Sequence, residues 1–299
     1  MYKLKGSIVA LVTPMELDGS IAWQSLFNLI DWHVESGTSG LVLVGTTGES
    51  ATIDVAEHVQ IIEQSSKHAK ERIPIIAGTG ANSTKEAIYL TSAAKKVGAD
   101  AVLLVTPYYN KPTQSGLIAH YLEIANEVEI PQILYNVPSR TGCDLLPETV
   151  FKLSTHKNII GLKEATGDLA RLDILKEGLK EQIADESFLL YSGDDPTSSE
   201  FILNGGSGTI SVTANVVPGL ISEICTLALL GDREKAILLN SRLEKLNALL
   251  FIESNPIPVK WILNRLGRVP EGLRLPLTTL NEKYYDQMEL LLSELRLLN

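Results

Sequence analysis

The chain has 299 residues, 44% of them hydrophobic, and a formal net charge of -10 from 26 basic and 36 acidic side chains. That length buries a large core and admits one big α/β domain with an appendage. The acidic balance, with no basic block, argues against nucleic acid or an anionic membrane as partner, though a local arginine can still receive an anionic small molecule.

The first apolar run, Ser7 to Val12, follows Lys3 and Lys5 and is stopped by Pro14. It is too short for the core of a secretory leader and reads as a first strand. A helical pattern follows over Leu26 to Val34, then a strand over Gly40 to Val44 and a helix over Ile53 to Ala69 with Asp54 in its first turn. Pro74 to Gly78 is a third strand, and Ser83 or Thr84 caps a helix that runs to Val97. Ala101 to Val105 is the fourth strand, followed by a helix from about Ser115 to Val128. Gln132 to Tyr135 is the fifth, with a helix from Pro147, a favourable first-turn residue. Ile159 to Lys163 is the sixth, and an amphipathic helix covers Leu169 to Leu179. Phe188 to Tyr191 and Gly208 to Val212 are the last two strands, separated by a short helix after Asp195-Pro196. Beyond them the pattern is helical only, broken at Gly231 and at Asn255-Pro256-Ile257-Pro258, with an apolar stripe over Ile237 to Leu250.

Eight apolar strands alternating with helices predict parallel strands covered on both faces. A doubly wound sheet usually shows a glycine-rich phosphate fingerprint after its first strand, and Thr13 to Gly19 lacks one. The expectation is therefore a (β/α)8 TIM barrel over 1–231 and a C-terminal helical domain over 232–299. Cys143 and Cys225 lie far apart and suit a reducing compartment, and no stretch reaches the apolar length that spans a bilayer. A cytoplasmic protein is expected.

Chemistry in such barrels sits at the C-terminal ends of the strands. Those positions hold Thr13, the Gly45-Thr46-Thr47-Gly48-Glu49-Ser50 loop, Gly78 to Asn82, Thr106 to Asn110, Tyr135 to Gly142, Lys163, Ser192 to Asp195, and Ile210-Ser211. They are rich in hydroxyls, with one lysine and one arginine ahead of Asp194-Asp195, and contain no histidine. His33, His58, His68, His120 and His156 lack ligand spacing, so no metal site is expected. Asp194 and Asp195 read first as caps of the helix behind them. A lysine closing an apolar strand is either a snorkelling charge or an amine whose pKa burial lowers to free the lone pair. With Tyr135, Thr46 and Tyr109 converging on one mouth, the second is favoured. Lys163 would then attack the carbonyl of a 2-oxo acid, and hydroxyls would carry the protons. The glycines around Thr46 and Thr47 let backbone N–H groups approach a carboxylate. Arg140, in a loop with proline and glycine, could grip another by two parallel bonds.

Five motifs occur together and in order: Gly45 to Ser50, Thr106-Pro107-Tyr108-Tyr109, Tyr135-Asn136-Val137-Pro138-Ser139-Arg140-Thr141-Gly142, Gly161-Leu162-Lys163-Glu164-Ala165, and Asn255 to Pro258. The chain thereby resembles, over essentially its whole length, the 4-hydroxy-tetrahydrodipicolinate synthase (dihydrodipicolinate synthase) family of pyruvate-dependent class I aldolases. The resemblance implies a lyase that condenses pyruvate with L-aspartate 4-semialdehyde in lysine biosynthesis through diaminopimelate, with no cofactor beyond a pyruvate imine on Lys163. It implies Tyr135 as proton donor and acceptor, and Thr46 linking it to Tyr109, which reaches in from a neighbouring subunit of a homotetramer built as a dimer of dimers. Thr47 would hold the pyruvate carboxylate, with backbone groups of Gly193 and Ile210 at the pocket, and Arg140 the carboxylate of the semialdehyde. The neuraminate lyase branch lacks that arginine. A lysine feedback site would fall on Ser50, Ala51, His58, Asn82, Glu86 and Tyr108, and Val55 stands where sensitive members often carry a histidine. The alternatives are a sugar-acid aldolase of the same superfamily, a metal-dependent hydrolase using Asp194 and Asp195, and an inactive binding scaffold.

Overall fold

The computed structural model describes residues 4–297, so the outermost ends of the two expected units lie outside the described residues. Eight parallel strands close into a barrel in the order in which they occur in the chain. They are β1 (Gly6–Ala10), β2 (Gly40–Leu43), β3 (Ile75–Gly78), β4 (Ala101–Val105), β5 (Gln132–Asn136), β6 (Ile159–Glu164), β7 (Leu189–Ser192) and β8 (Gly208–Ser211). Between them run α1 (Trp23–Glu35), α2 (Val55–Ala69), α3 (Thr84–Lys96), α4 (Gln114–Glu127), α5 (Pro138–Thr141), α6 (Pro147–Leu153), α7 (Leu169–Gly178), α8 (Lys180–Ala184) and α9 (Ser198–Leu203). After β8 come α10 (Pro218–Leu229), α11 (Arg233–Ser241), α12 (Glu244–Leu249), α13 (Ile257–Arg265) and α14 (Tyr285–Glu294). The (β/α)8 barrel with a C-terminal helical extension is as the alternation of strands and helices predicts.

Side chains alternate across each strand, and the alternation sorts the core into two parts. Ile8, Val42, Ile76, Leu103, Ile133, Tyr135, Tyr191 and Ile210 fill the barrel interior. Val9, Leu41, Ile75, Leu104, Leu134, Leu162 and Leu190 face the helices. Leu162 points outward, so Lys163, one residue on, points inward. Its register partner on β5 is Tyr135, and its partner on β7 is Tyr191. Glu164, next on β6, points outward again and pairs with Arg171 of α7 at 3.0 Å.

Element ends shift by a few residues, and four details differ in kind from the sequence-based reading. Asp54 lies just outside α2 and caps it, accepting the Glu57 amide at 2.9 Å. Pro138–Thr141 forms a helical turn rather than open loop. The stretch expected to run to Leu179 ends at Gly178, with a separate short helix behind it. The stripe over Ile237 to Leu250 is two helices, α11 and α12, separated by a turn in which the Leu243 amide bonds the Asn240 carbonyl at 2.9 Å. No helix among the described residues is long and apolar enough to cross a membrane.

Candidate active site

A cavity of about 760 Å³ opens at the C-terminal ends of the strands, with Lys163 and Tyr135 in its wall. Lys163 is only 4% exposed. Its Nζ lies 4.3 Å from the centroid of the Tyr135 ring, so the amine rests on an aromatic face. Burial lowers its pKa to about 8, the Asp195 charge works against that fall, and the Arg140 charge adds to it. At neutral pH about one molecule in ten then carries a free amine, against about one in a few thousand for an ordinary lysine. Burial raises the pKa of the Tyr135 phenol, while the Arg140 charge and a hydrogen bond with Thr46 draw it down.

Gly193 closes over the lysine stem. A Cβ there would lie 2.8 Å from Lys163 Cε and 2.7 Å from Ala165 Cβ, so only glycine lets β7 end this near the amine. The loop after β2 is equally tight. Val44, a β-branched residue, sits at φ 50°, a conformation that such residues avoid and that recurs at functional loops. A Cβ on Gly48 would lie 2.9 Å from the Val44 amide nitrogen. This turn presents Thr46 and Thr47 to the cavity. Thr47 Oγ1 accepts a hydrogen bond from Asn255 Nδ2 at 2.9 Å, so its own hydroxyl proton is directed elsewhere. Arg140 leaves the short α5 turn, which opens on Pro138 and ends on the left-handed Gly142. It stands exposed at the rim and lines both this cavity and the one beside it.

Two expected members stand elsewhere. Tyr109 is 89% exposed at φ 72° and does not line the cavity, so within one chain it does not converge on Lys163. Ile210 is packed in the barrel interior, and Val212, two residues on, lines the cavity instead. Among the wall residues that the motifs gave no role are Asn247, Ala248, Phe251, Ser254 and Asn255, which bring the C-terminal helices into the cavity wall. Of these only Asn255 had a signal, the break at Asn255-Pro256.

A neighbouring cavity of about 420 Å³ gathers Ser50, Ala51, Val55, His58, Glu86 and Tyr108. Burial lowers the His58 pKa to about 4, leaving a neutral imidazole. Burial, and then the Glu86 charge, raise that of Tyr108. Asn82 is not in this wall; its carbonyl accepts a hydrogen bond from Asn110 Nδ2 at 2.8 Å. Asp194 and Asp195 do not act as a pair. Asp194 accepts from the Thr197 hydroxyl at 2.7 Å, whereas Asp195 accepts the Val212 and Thr213 amides at 2.9 and 3.0 Å. Among the described residues no group of three or more His, Cys, Asp or Glu side chains could hold a metal ion.

Residues 3–295 match the profile of the Dihydrodipicolinate synthetase family. The chain belongs to that family. It is 58% identical over 286 residues to the 4-hydroxy-tetrahydrodipicolinate synthase of Pseudomonas savastanoi pv. phaseolicola, covering 95% of this chain and 96% of that one. It is 57% identical over 285 residues to the enzyme of the same name from Pseudomonas aeruginosa, again covering 95% and 96%. The crystal structure of the chloride-inhibited dihydrodipicolinate synthase of Acinetobacter baumannii complexed with pyruvate superposes with a TM-score of 0.95 at 52% identity, over 99% of this chain and all of that one. The Cyanidioschyzon merolae member with lysine bound superposes with a TM-score of 0.94 at 35% identity over the full length of both.

Proposed function

We propose that the chain is a lyase that condenses pyruvate with L-aspartate 4-semialdehyde to 4-hydroxy-tetrahydrodipicolinate, in lysine biosynthesis through diaminopimelate. The observation that carries it is the buried Lys163 amine facing Tyr135 across the β5–β6 register. Lys163 adds to C2 of pyruvate and water leaves, giving a protonated imine. The imine withdraws electrons, a proton departs from C3, and the enamine attacks the aldehyde carbon; the amino group of the semialdehyde then adds to C2, closing the ring and expelling Lys163 as the free amine. In this family pyruvate is held as a Schiff base on lysine without an external cofactor. Tyr135 and Thr46 carry protons, Thr47 holds the pyruvate carboxylate with its free hydroxyl proton, and Arg140 meets the carboxylate of the incoming aldehyde. Gly193 and Ile210 supply backbone groups to the pocket, and the Ile210 side chain belongs to the barrel-interior core that also holds Tyr135 and Tyr191.

Tyr109 belongs to this machinery through a second copy of the chain. Its exposure and left-handed backbone hold a tyrosine out from the barrel face, ready to enter a neighbour's cavity, and a homotetramer follows from the family resemblance. A relative 38% identical to this chain is a monomeric variant, so assembly varies within the fold. The second cavity is assigned to L-lysine as inhibitor, with Val55 removing one polar contact. We put the division between barrel and C-terminal helical domain near residue 231, a reading that the left-handed Gly231 (φ 79°) behind α10 supports. The two free buried cysteines suit a cytoplasmic enzyme.

The test is borohydride reduction in the presence of pyruvate, followed by mass mapping. One pyruvate-derived adduct on Lys163 is expected. An adduct on another lysine, or none, overturns the assignment.

A further inference from the structure

The buried charges of this barrel sort into pairs and a remainder. Five carboxylate or amine side chains are buried among the described residues: Glu49, Lys163, Glu164, Asp195 and Lys260. Glu49 pairs with Lys260 at 2.5 Å, and Glu164 pairs with the largely buried Arg171 at 3.0 Å. Burying an unmatched charge is costly, so buried charges are normally matched. The remainder is one acid and one base, Asp195 and Lys163, neither of which has an ion-pair partner among the described residues. They stand on adjacent strand ends. Lys163 is in register with Tyr191 of β7, and Gly193, which closes on the lysine stem, precedes Asp195 by two residues.

We propose that Asp195 is the counter-charge of the Lys163 nitrogen, a positioning residue that acts through the lysine and holds the imine protonated while its carbon acid ionises. This rests on the Schiff-base role of Lys163. Burial raises the Asp195 pKa above the usual carboxylate range, and its hydrogen bonds pull the other way. Asp195 accepts the Val212 and Thr213 amides at 2.9 and 3.0 Å, and hydrogen bonds from these and from Ser211 oppose the rise that burial imposes. Behind it, on α10, lies the buried Cys225, its thiol pushed up to about 12 by burial and then by the Asp195 charge, while Glu223 of the same helix is exposed. On the cavity side Lys163 faces the neutral Tyr135 phenol, the Arg140 cation and Asp194, which is tied to Thr197. Arg140 works against a positive Lys163 nitrogen, and Asp195 is the buried carboxylate that works for it.

The experiment is the rate of borohydride trapping with pyruvate against pH, in wild type and in Asp195→Asn. The asparagine oxygen can still accept the two amides, so the loop keeps its bonds while the charge is lost. An amine is free above its pKa, and removing a nearby negative charge lowers that pKa. The midpoint is therefore expected to fall by ~1 pH unit from its wild-type position. Asp195→Glu, which keeps the charge, is expected to restore most of the shift. A folded Asp195→Asn enzyme with an unmoved or raised midpoint overturns the proposal. Should the variant not fold, the infrared spectrum of wild type decides. A buried protonated-carboxyl band that persists when Lys163 is reduced onto pyruvate would overturn it, and an adduct spectrum without one supports it. Absence of any Lys163 adduct in wild type would instead defeat the Schiff-base reading itself.

Discussion

Replacing Gly193 by alanine tests how closely the barrel mouth is fitted around its amine. The new Cβ would stand 2.8 Å from Lys163 Cε and 3.1 Å from Cγ, with Ala165 Cβ at 2.7 Å on its other side. Carbon atoms in contact settle at ~3.5–4.0 Å, so about 1 Å must be found. Ala165 follows Lys163 by two residues on the same chain, so the methyl group is wedged and cannot slide away. The flexible lysine stem yields, and Nζ leaves its place over the Tyr135 ring. A misplacement of ~1 Å at a reacting group costs ~10²-fold, equivalent to about 2.7 kcal/mol of transition-state stabilisation. Overpacking should cost ~1–3 kcal/mol of folding stability as well. Steady-state kinetics with both substrates, borohydride trapping with pyruvate alone, and a denaturant midpoint separate the two effects. The expected result is a folded protein with kcat and trapping rate both reduced ~100-fold. Wild-type trapping in a stably folded Gly193→Ala enzyme would mean that the lysine has room the structure does not give it.

Arg140→Ala should leave the adduct on Lys163 while raising KM for the semialdehyde. Because the Arg140 charge depresses the lysine pKa, the trapping midpoint should also move upward, opposite in sign to Asp195→Asn; an unchanged KM would remove the arginine from substrate binding. Co-expression of Tyr109→Phe with Lys163→Ala chains should yield mixed oligomers with more activity than either variant alone, and additive residual activities would place Tyr109 outside a shared site. Lys260→Met strands the Glu49 carboxylate in a buried site, a loss of ~3–5 kcal/mol by denaturant unfolding. The double variant Glu49→Gln, Lys260→Met should lose less, and equal losses would deny that the two residues form one unit.

The barrel and its lysine were legible because their signals are local. Strand runs such as Ala101 to Val105 coincide with the observed β4, and the period-two alternation that sends Leu162 outward sends Lys163 in. The turn at Pro138–Thr141 escaped notice because four residues carry no helical period. The break between α11 and α12 escaped notice because Leu239, Leu243, Leu246 and Leu250 keep an unbroken apolar spacing through it. Tyr109 reads in sequence as one more strand-end hydroxyl; its outward direction follows from a φ of 72° that nothing in Thr106 to Asn110 announces. The wall formed by Asn247 to Asn255 was illegible for another reason. Asn255 bonds to a threonine 208 residues away, and no window of sequence spans that pairing.

That long-range wall sets a condition on synthesis. The eight strands are complete by Ser211, yet the loop carrying Thr46 and Thr47 acquires Asn255, the Lys260 ammonium and the Arg274 amide, which bonds Glu49 at 3.3 Å, only later. A chain leaves the ribosome from its N-terminus at ~5–20 residues per second, so for some seconds all eight strand segments have been made and these three partners have not. During that interval Glu49 lacks its cation and Thr47 its amide, and the cavity lacks the part of its wall that Asn247 to Asn255 supply. The Thr47 hydroxyl is thus oriented by a residue made 208 positions after it.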